Sequence, residues 1–143
     1  MDEIARPEDP RARRASALLG FLFLFDVTLV ACAGFAPGLW FSIFHGVPYV
    51  DPQGFLRRCA ANWAAFALLQ GIAFVRWKQS PRWLAIVAGV RLSDVFTDWT
   101  YLAFSQDLTW FGRVGLALSS PMNVICGLLL LRLHAHFTRP PER

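Results

Sequence analysis

Trp83–Phe104 reads WLAIVAGVRLSDVFTDWTYLAF. About 20 helical residues cross a hydrocarbon core ~30 Å thick, so a stretch this long and apolar is a candidate membrane span. Yet it carries Arg91, Asp94 and Asp98. On insertion scales a central Arg or Asp costs about 2.5–3.5 kcal/mol. A partner must offset that cost, so the three residues mark a face turned into protein and a candidate site. Their spacing (i, i+3, i+7) places them on one helical stripe, which Val87 and Tyr101 extend.

The rest of the chain follows the same pattern. Of its 143 residues 55% are hydrophobic and only 17% charged, against about 45–50% and about 25% in soluble domains. The apolar residues gather near Leu18–Phe35, Leu56–Val75, Trp83–Phe104 and Leu108–Leu133. The expected fold is therefore all-α, a four-transmembrane-helix bundle occupying residues 17–137, with little room for any extramembrane domain. Between the first two blocks, apolar residues at 39, 40, 43, 44 and 47 keep helical spacing. That run is too short to span and reads as a short interfacial helix, with Trp40 and Tyr49 as belt residues. Pro48 and the Asp51-Pro52-Gln53-Gly54 turn end it.

The formal net charge of +4 does not point to nucleic acid, because its distribution follows topology. Arg6, Arg11, Arg13, Arg14, Arg76, Lys78, Arg82, Arg132, Arg139 and Arg143 fall on one side of a four-span arrangement, and Arg57, Arg58 and Arg113 on the other. The positive-inside rule then places both termini in the cytoplasm, in a membrane of the bacterial inner type, with lipid headgroups facing the basic side. Residues 1–16 read as a polar tail and 138–143 as a second one. A cleaved signal peptide is the competing reading of the first block, since Leu29-Val30-Ala31-Cys32 fits a cleavage box; the long tail before it and Asp26 inside it argue for a retained span.

A rise of ~1.5 Å per residue converts position into depth. Asp26, Arg91 and Asn123 come out level, as an inner layer. Asp98 lies level with Asn62 and within reach of Arg57 or Arg58, as an outer layer. Asp94 stands between them near Ser119 and Ser120. Such a cluster can fix helix register, line a polar pocket or proton path, or place Asp94 or Asp98 as a general acid. Three carboxylates meet one deep cation, Arg91, and register-fixing alone leaves that excess unexplained.

Other chemistry is poorly supported. Cys32, Cys59 and Cys126 form no CxxC motif, though Cys32 and Cys59 fall near the same helix ends and could pair. His45 lies opposite His134 and His136, and those two are two residues apart on different helix faces, so no facing pair exists to hold haem. No phosphate loop, nucleophile elbow or zinc spacing is present, and the expectation is no metal and no cofactor. Ala85-xxx-Gly89, Gly112-xx-Gly115 and the alanines of the second block suit close helix packing. Pro121 is expected to kink the last helix, with serine hydroxyls or neighbouring helices satisfying the freed carbonyl.

The order of parts resembles the DoxX-like small four-helix integral membrane proteins. The likeness lies in a first span ending before Phe35-Ala36-Pro37-Gly38, an aromatic interfacial run, and Phe55-Leu56-Arg57-Arg58 opening an alanine-rich second span. It covers most of the chain, rests on pattern and implies little about chemistry. Sterol-isomerase-like four-helix proteins are a second likeness, without motif residues to match. The function expected is a non-catalytic accessory or scaffold subunit whose partners are membrane lipids and other membrane subunits. The alternative is a stand-alone bundle with a polar pocket, acting as a transporter or on a lipidic substrate.

Overall fold

Asp9 and Pro10 begin the first helix. The Asp9 carboxylate accepts the Arg11 N–H at 2.8 Å, and Pro10 occupies the first turn, where no N–H is needed. A computed structural model describes residues 9–139. It contains α1 (Pro10–Phe35), α2 (Pro37–Phe44), α3 (Phe55–Arg76), α4 (Arg82–Phe104) and α5 (Trp110–Thr138). Residues 10–16, expected in a polar tail, are thus the first turns of α1, where Ala12 and Ala15 are buried. Residues 1–8 and 140–143, the remainder of the two expected tails, lie outside the described residues.

The chain is all-α. α1, α3 and α5 are long and apolar enough to cross a membrane. α4 has 23 residues, one more than α3, but Arg91, Asp94 and Asp98 set its composition apart. The four apolar spans expected are therefore three apolar helices and one charged helix whose length falls within their range. Pro121 lies inside α5 without ending it. Ser120 does not serve the proline's own helix; its hydroxyl donates across to the Val95 carbonyl of α4 at 2.8 Å.

The long helices pair as two antiparallel hairpins, α1 with α3 and α4 with α5. In the first, Trp77 Nε1 donates to Ser16 Oγ at 3.2 Å near the chain termini, while Gly34 faces Ala60 at the far end. In the second, His134 contacts the Pro81 carbonyl at one end and Ser120 reaches Val95 further along. α3 and α4 touch only lightly. Leu19, Leu22, Trp77, Leu84, Val87, Ala88, Cys126 and Leu130 form an apolar cluster toward the termini. A smaller cluster of Ala33, Trp40 and Ala60 forms toward the loops, where Trp40 stacks on Phe44 at 4.4 Å and packs at a tilt against Trp63 at 5.3 Å.

α2 is the short helix expected, starting at Pro37. Thr109 fastens it to α5: its N–H donates to the Phe44 carbonyl at 2.9 Å, and its hydroxyl donates to the Ile43 carbonyl at 2.6 Å and accepts from Gly112 N at 3.0 Å. Gly112 is required by the close approach, because a Cβ there would strike the Phe44 carbonyl oxygen. Asp51 organises the start of α3, accepting from Phe55 N and Leu56 N at 2.9 Å each and from the Tyr49 hydroxyl at 3.2 Å. Desolvation pushes this carboxyl upward, but the bonds from Leu56, Phe55 and Tyr49 outweigh it and hold its pKa below the ordinary 3.8.

Gly112→Ala is expected to cost about 1–3 kcal/mol through overpacking against backbone. Gly115→Ala, whose Cβ would meet only the Phe44 ring at 3.8 Å, is the control expected to leave thermal unfolding unchanged. Equal effects of the two would contradict the close approach. At Asp51 the folded pKa is depressed, so the carboxylate's contribution is present above its unfolded pKa and lost as pH falls through the folded one. Asp51→Ala should therefore lower the thermal midpoint at about pH 7, with the difference from wild type shrinking as pH falls below the ordinary 3.8 and through the lower folded pKa. A pH-independent difference overturns that account.

Candidate functional site: a polar layer between the hairpins

Each long helix contributes one buried polar residue at the same depth, between the two apolar clusters. These are Asp26 on α1, Gln70 on α3, Arg91 on α4 and Asn123 on α5, exposed by only 1%, 0%, 2% and 7%. Asp26 Oδ2 accepts both the Gln70 amide, at 2.7 Å, and the Arg91 guanidinium. The second terminal nitrogen of Arg91 donates to Asn123 Oδ1 at 3.5 Å. The Asn123 amide nitrogen in turn donates to Asp94 and Asp98, at 3.4 Å each. One connected network thus links all four long helices, and its ion pair joins the first hairpin to the second.

The structure brings Asp26, Arg91, Asn123, Asp94 and Asp98 together, but as one network rather than two layers. Arg58 and Asn62, expected beside Asp98, lie exposed on α3 and make no side-chain hydrogen bond among the described residues. The physical reason is pairing: α3 lies along α1 and only grazes α4, so a residue of α3 at the right depth is on the wrong side. Asn123 takes both aspartates instead. Gln70 was missed by sequence reasoning, although its signal was of the same kind as that of Arg91: a lone polar side chain within the apolar run Ala64–Val75.

The charge within this network is unbalanced. Arg91 pairs with Asp26, while Asp94 and Asp98 are half-buried and, among the described residues, receive side-chain hydrogen bonds from neutral groups, the Asn123 amide at both and the Ser119 hydroxyl at Asp98. Two atoms are buried without a partner among the described residues, Gln70 Oε1 and Arg91 Nε.

The remaining polar residues act at the ends of the bundle. His45 Nδ1 contacts the Asp107 carbonyl at 2.7 Å, which makes Nδ1 the protonated nitrogen and leaves Nε2 to accept the Tyr101 hydroxyl at 2.8 Å. This joins α2, the end of α4 and the loop before α5. His134 Nδ1 donates to the Pro81 carbonyl at 3.0 Å, and His136 lies against the Arg11 guanidinium. Cys32, Cys59 and Cys126 are free thiols, so the pairing of Cys32 with Cys59 is not made. Among the described residues no three His, Cys, Asp or Glu side chains are grouped to hold a metal.

Together the fold and site define a class: an all-α membrane protein whose two helical hairpins are joined by a buried ion pair. Comparison with protein-family models, curated proteins and solved structures finds no significant match to this chain.

Removing one partner of a buried ion pair leaves an unpaired buried charge and costs about 3–5 kcal/mol, whereas an apolar replacement of both is close to neutral. Asp26→Leu and Arg91→Met should each destabilise the protein strongly in a detergent-unfolding titration, and the double variant should be more stable than either single one. Additive losses would show that the two side chains do not act as a pair.

Proposed function

We propose that this protein is a four-span integral membrane protein with both termini cytoplasmic, serving as a non-catalytic accessory or scaffold subunit of a larger membrane assembly. The span count is supported by connectivity. α4 lies antiparallel along α5 between the terminal and loop ends, and its 23 residues give about 35 Å of helix, enough to cross the hydrocarbon. The orientation is supported by Arg11, Arg13, Arg14, Arg76, Lys78, Arg82, Arg132 and Arg139 lying at the terminal end, against Arg57, Arg58 and Arg113 at the other.

The observation that carries the scaffold reading is that Arg91, a buried cation of the network, is engaged in tying helices together. Gln70 and Asn123 extend that tie to α3 and α5. Toward the termini, among the described residues, the layer is sealed by Leu19, Leu84, Val87 and Leu130, all 0% exposed. Surface hollows lie on outward faces, one lined by Phe23, Leu68, Gly71, Ile72, Val75 and Arg76 and another by Phe96, Thr97, Thr100, Tyr101 and Phe104 of α4.

Purification in mild detergent, with mass measured by light scattering, tests the reading. The expected result is a second polypeptide at fixed stoichiometry. A monodisperse small oligomer with a bound lipidic molecule overturns it, as does an Asp94→Asn/Asp98→Asn variant that assembles normally but loses an activity.

A further inference from the structure

From the contact between Arg11 and His136 we infer that the seam between α1 and α5, at the terminal end of the bundle, is a seat for the phosphate of an anionic phospholipid. Arg11 comes from one hairpin and His136 from the other. The inference requires the membrane but not the scaffold reading, and it stands or falls separately from that reading.

The contact itself has an unusual form. Arg11 Nη1 lies 3.0 Å from His136 Nδ1 and 3.1 Å from His136 Nε2. A directed hydrogen bond selects one ring nitrogen, so near-equal distances place the guanidinium against the ring as a whole. Two basic side chains are thus packed together by helices of different hairpins, and both are exposed. Among the described residues neither is in an ion pair; the pair made is Arg91 with Asp26. Asp9, the described carboxylate at this end, is engaged as the cap of α1, accepting the Arg11 N–H at 2.8 Å. The guanidinium offers several N–H donors in a fixed fork, and the imidazole offers one more.

The surroundings carry the same sign. Arg14 follows Arg11 by three residues, while Arg132 and Arg139 stand four before and three after His136, so all three fall on the faces that meet at the seam. α1 and α5 otherwise touch only lightly. An anion accepting from both sides would bridge the hairpins at the end that the buried ion pair does not reach.

Depth selects the kind of anion. Trp77, just past the end of α3, donates to Ser16, so those two residues are level. Arg11 lies five residues beyond Ser16 on α1, about 7–8 Å further out. His134 meets the Pro81 carbonyl in the α3–α4 turn, and His136 stands in the last turn of α5 beside it. α1 and α5, with 26 and 29 residues, are about 39 and 44 Å long, against a hydrocarbon core of ~30 Å. Their terminal ends therefore project into the headgroup layer, where lipid phosphates lie. Phosphate oxygens accept the parallel N–H groups of an arginine fork. A zwitterionic lipid brings its own cation to such a site, whereas a lipid of net negative charge does not.

The test uses the full-length protein in mild detergent, offered mixed micelles of phosphatidylglycerol or phosphatidylcholine, with retained lipid counted by native mass spectrometry. Phosphatidylglycerol should be held about tenfold more tightly than phosphatidylcholine. The preference should disappear in Arg11→Gln/His136→Gln and persist in Arg57→Gln/Arg58→Gln, which removes charge from the opposite end. Unchanged helicity and thermal unfolding without lipid show that each variant is folded. Should the double variant not fold, Arg11→Lys, which keeps the charge and loses the fork, is expected to lower the preference.

Equal retention of the two lipids overturns the inference, as does a phosphatidylglycerol preference that survives Arg11→Gln/His136→Gln. Millimolar inorganic phosphate, added without lipid, should leave the unfolding temperature unchanged; protection equal to that given by phosphatidylglycerol would assign the seat to a soluble anion instead. A preference that appears only after Asp2, Glu3 and Glu8 are neutralised would assign it to the chain's own terminus, and the lipid site would fall.

Discussion

The Asp26–Arg91 ion pair is the interaction on which the arrangement of this bundle depends. Among lipid tails, a leucine gains little by leaving the bilayer for another helix, so apolar burial drives association weakly, and close packing and polar contacts must do more. Within each hairpin, packing is available: Gly34 faces Ala60, and Gly127 lies so close to Leu92 that a Cβ would approach its Cγ to 2.7 Å. Between the hairpins there is less of it, since α3 and α4 barely touch. The buried ion pair, with Gln70 on one side and Asn123 on the other, supplies the missing link, at the depth where leaving either charge unpaired is most costly.

That constraint explains why the polar residues sit where they do. The apolar cluster toward the termini and the smaller aromatic one toward the loops exclude water on both sides of the layer. Exclusion raises the strength of the pair and also the penalty for disrupting it. At the loop end, Thr109, Gly112 and the His45–Tyr101 contact hold α2 against α4 and α5 by short local bonds. At the terminal end, Trp77 and the Arg11–His136 contact close the bundle. What remains outside this account is the charge of Asp94 and Asp98, which share Asn123 with Arg91 while that cation is paired with Asp26.

Much of this was legible in the sequence, and the parts that were not have identifiable causes. Depth is readable, because the rise of a helix is constant, and it placed Asp26, Arg91 and Asn123 level with one another. Azimuth is not, because it depends on which helices pair. Asp98, Arg58 and Asn62 share a depth, yet α3 turns its polar end residues away from α4, and the outer layer does not form. The start of α1 was missed because Arg11, Arg13 and Arg14 suggest a solvated tail, whereas Asp9-Pro10 is a helix cap and Ala12 and Ala15 form a packing face. Gln70 was overlooked although the logic applied to Arg91 applied equally to it.

The central claim is that a single buried ion pair sets the position of one hairpin against the other, and a distance measurement tests it directly. Spin-label pairs would be placed within each hairpin, α1 to α3 and α4 to α5, and across the two, α1 to α4, in wild type and in Arg91→Met reconstituted in vesicles. The account predicts that the distance distribution across the hairpins broadens in the variant while both distributions within hairpins stay narrow. Unchanged distributions throughout, or broadening of all three together, would contradict it.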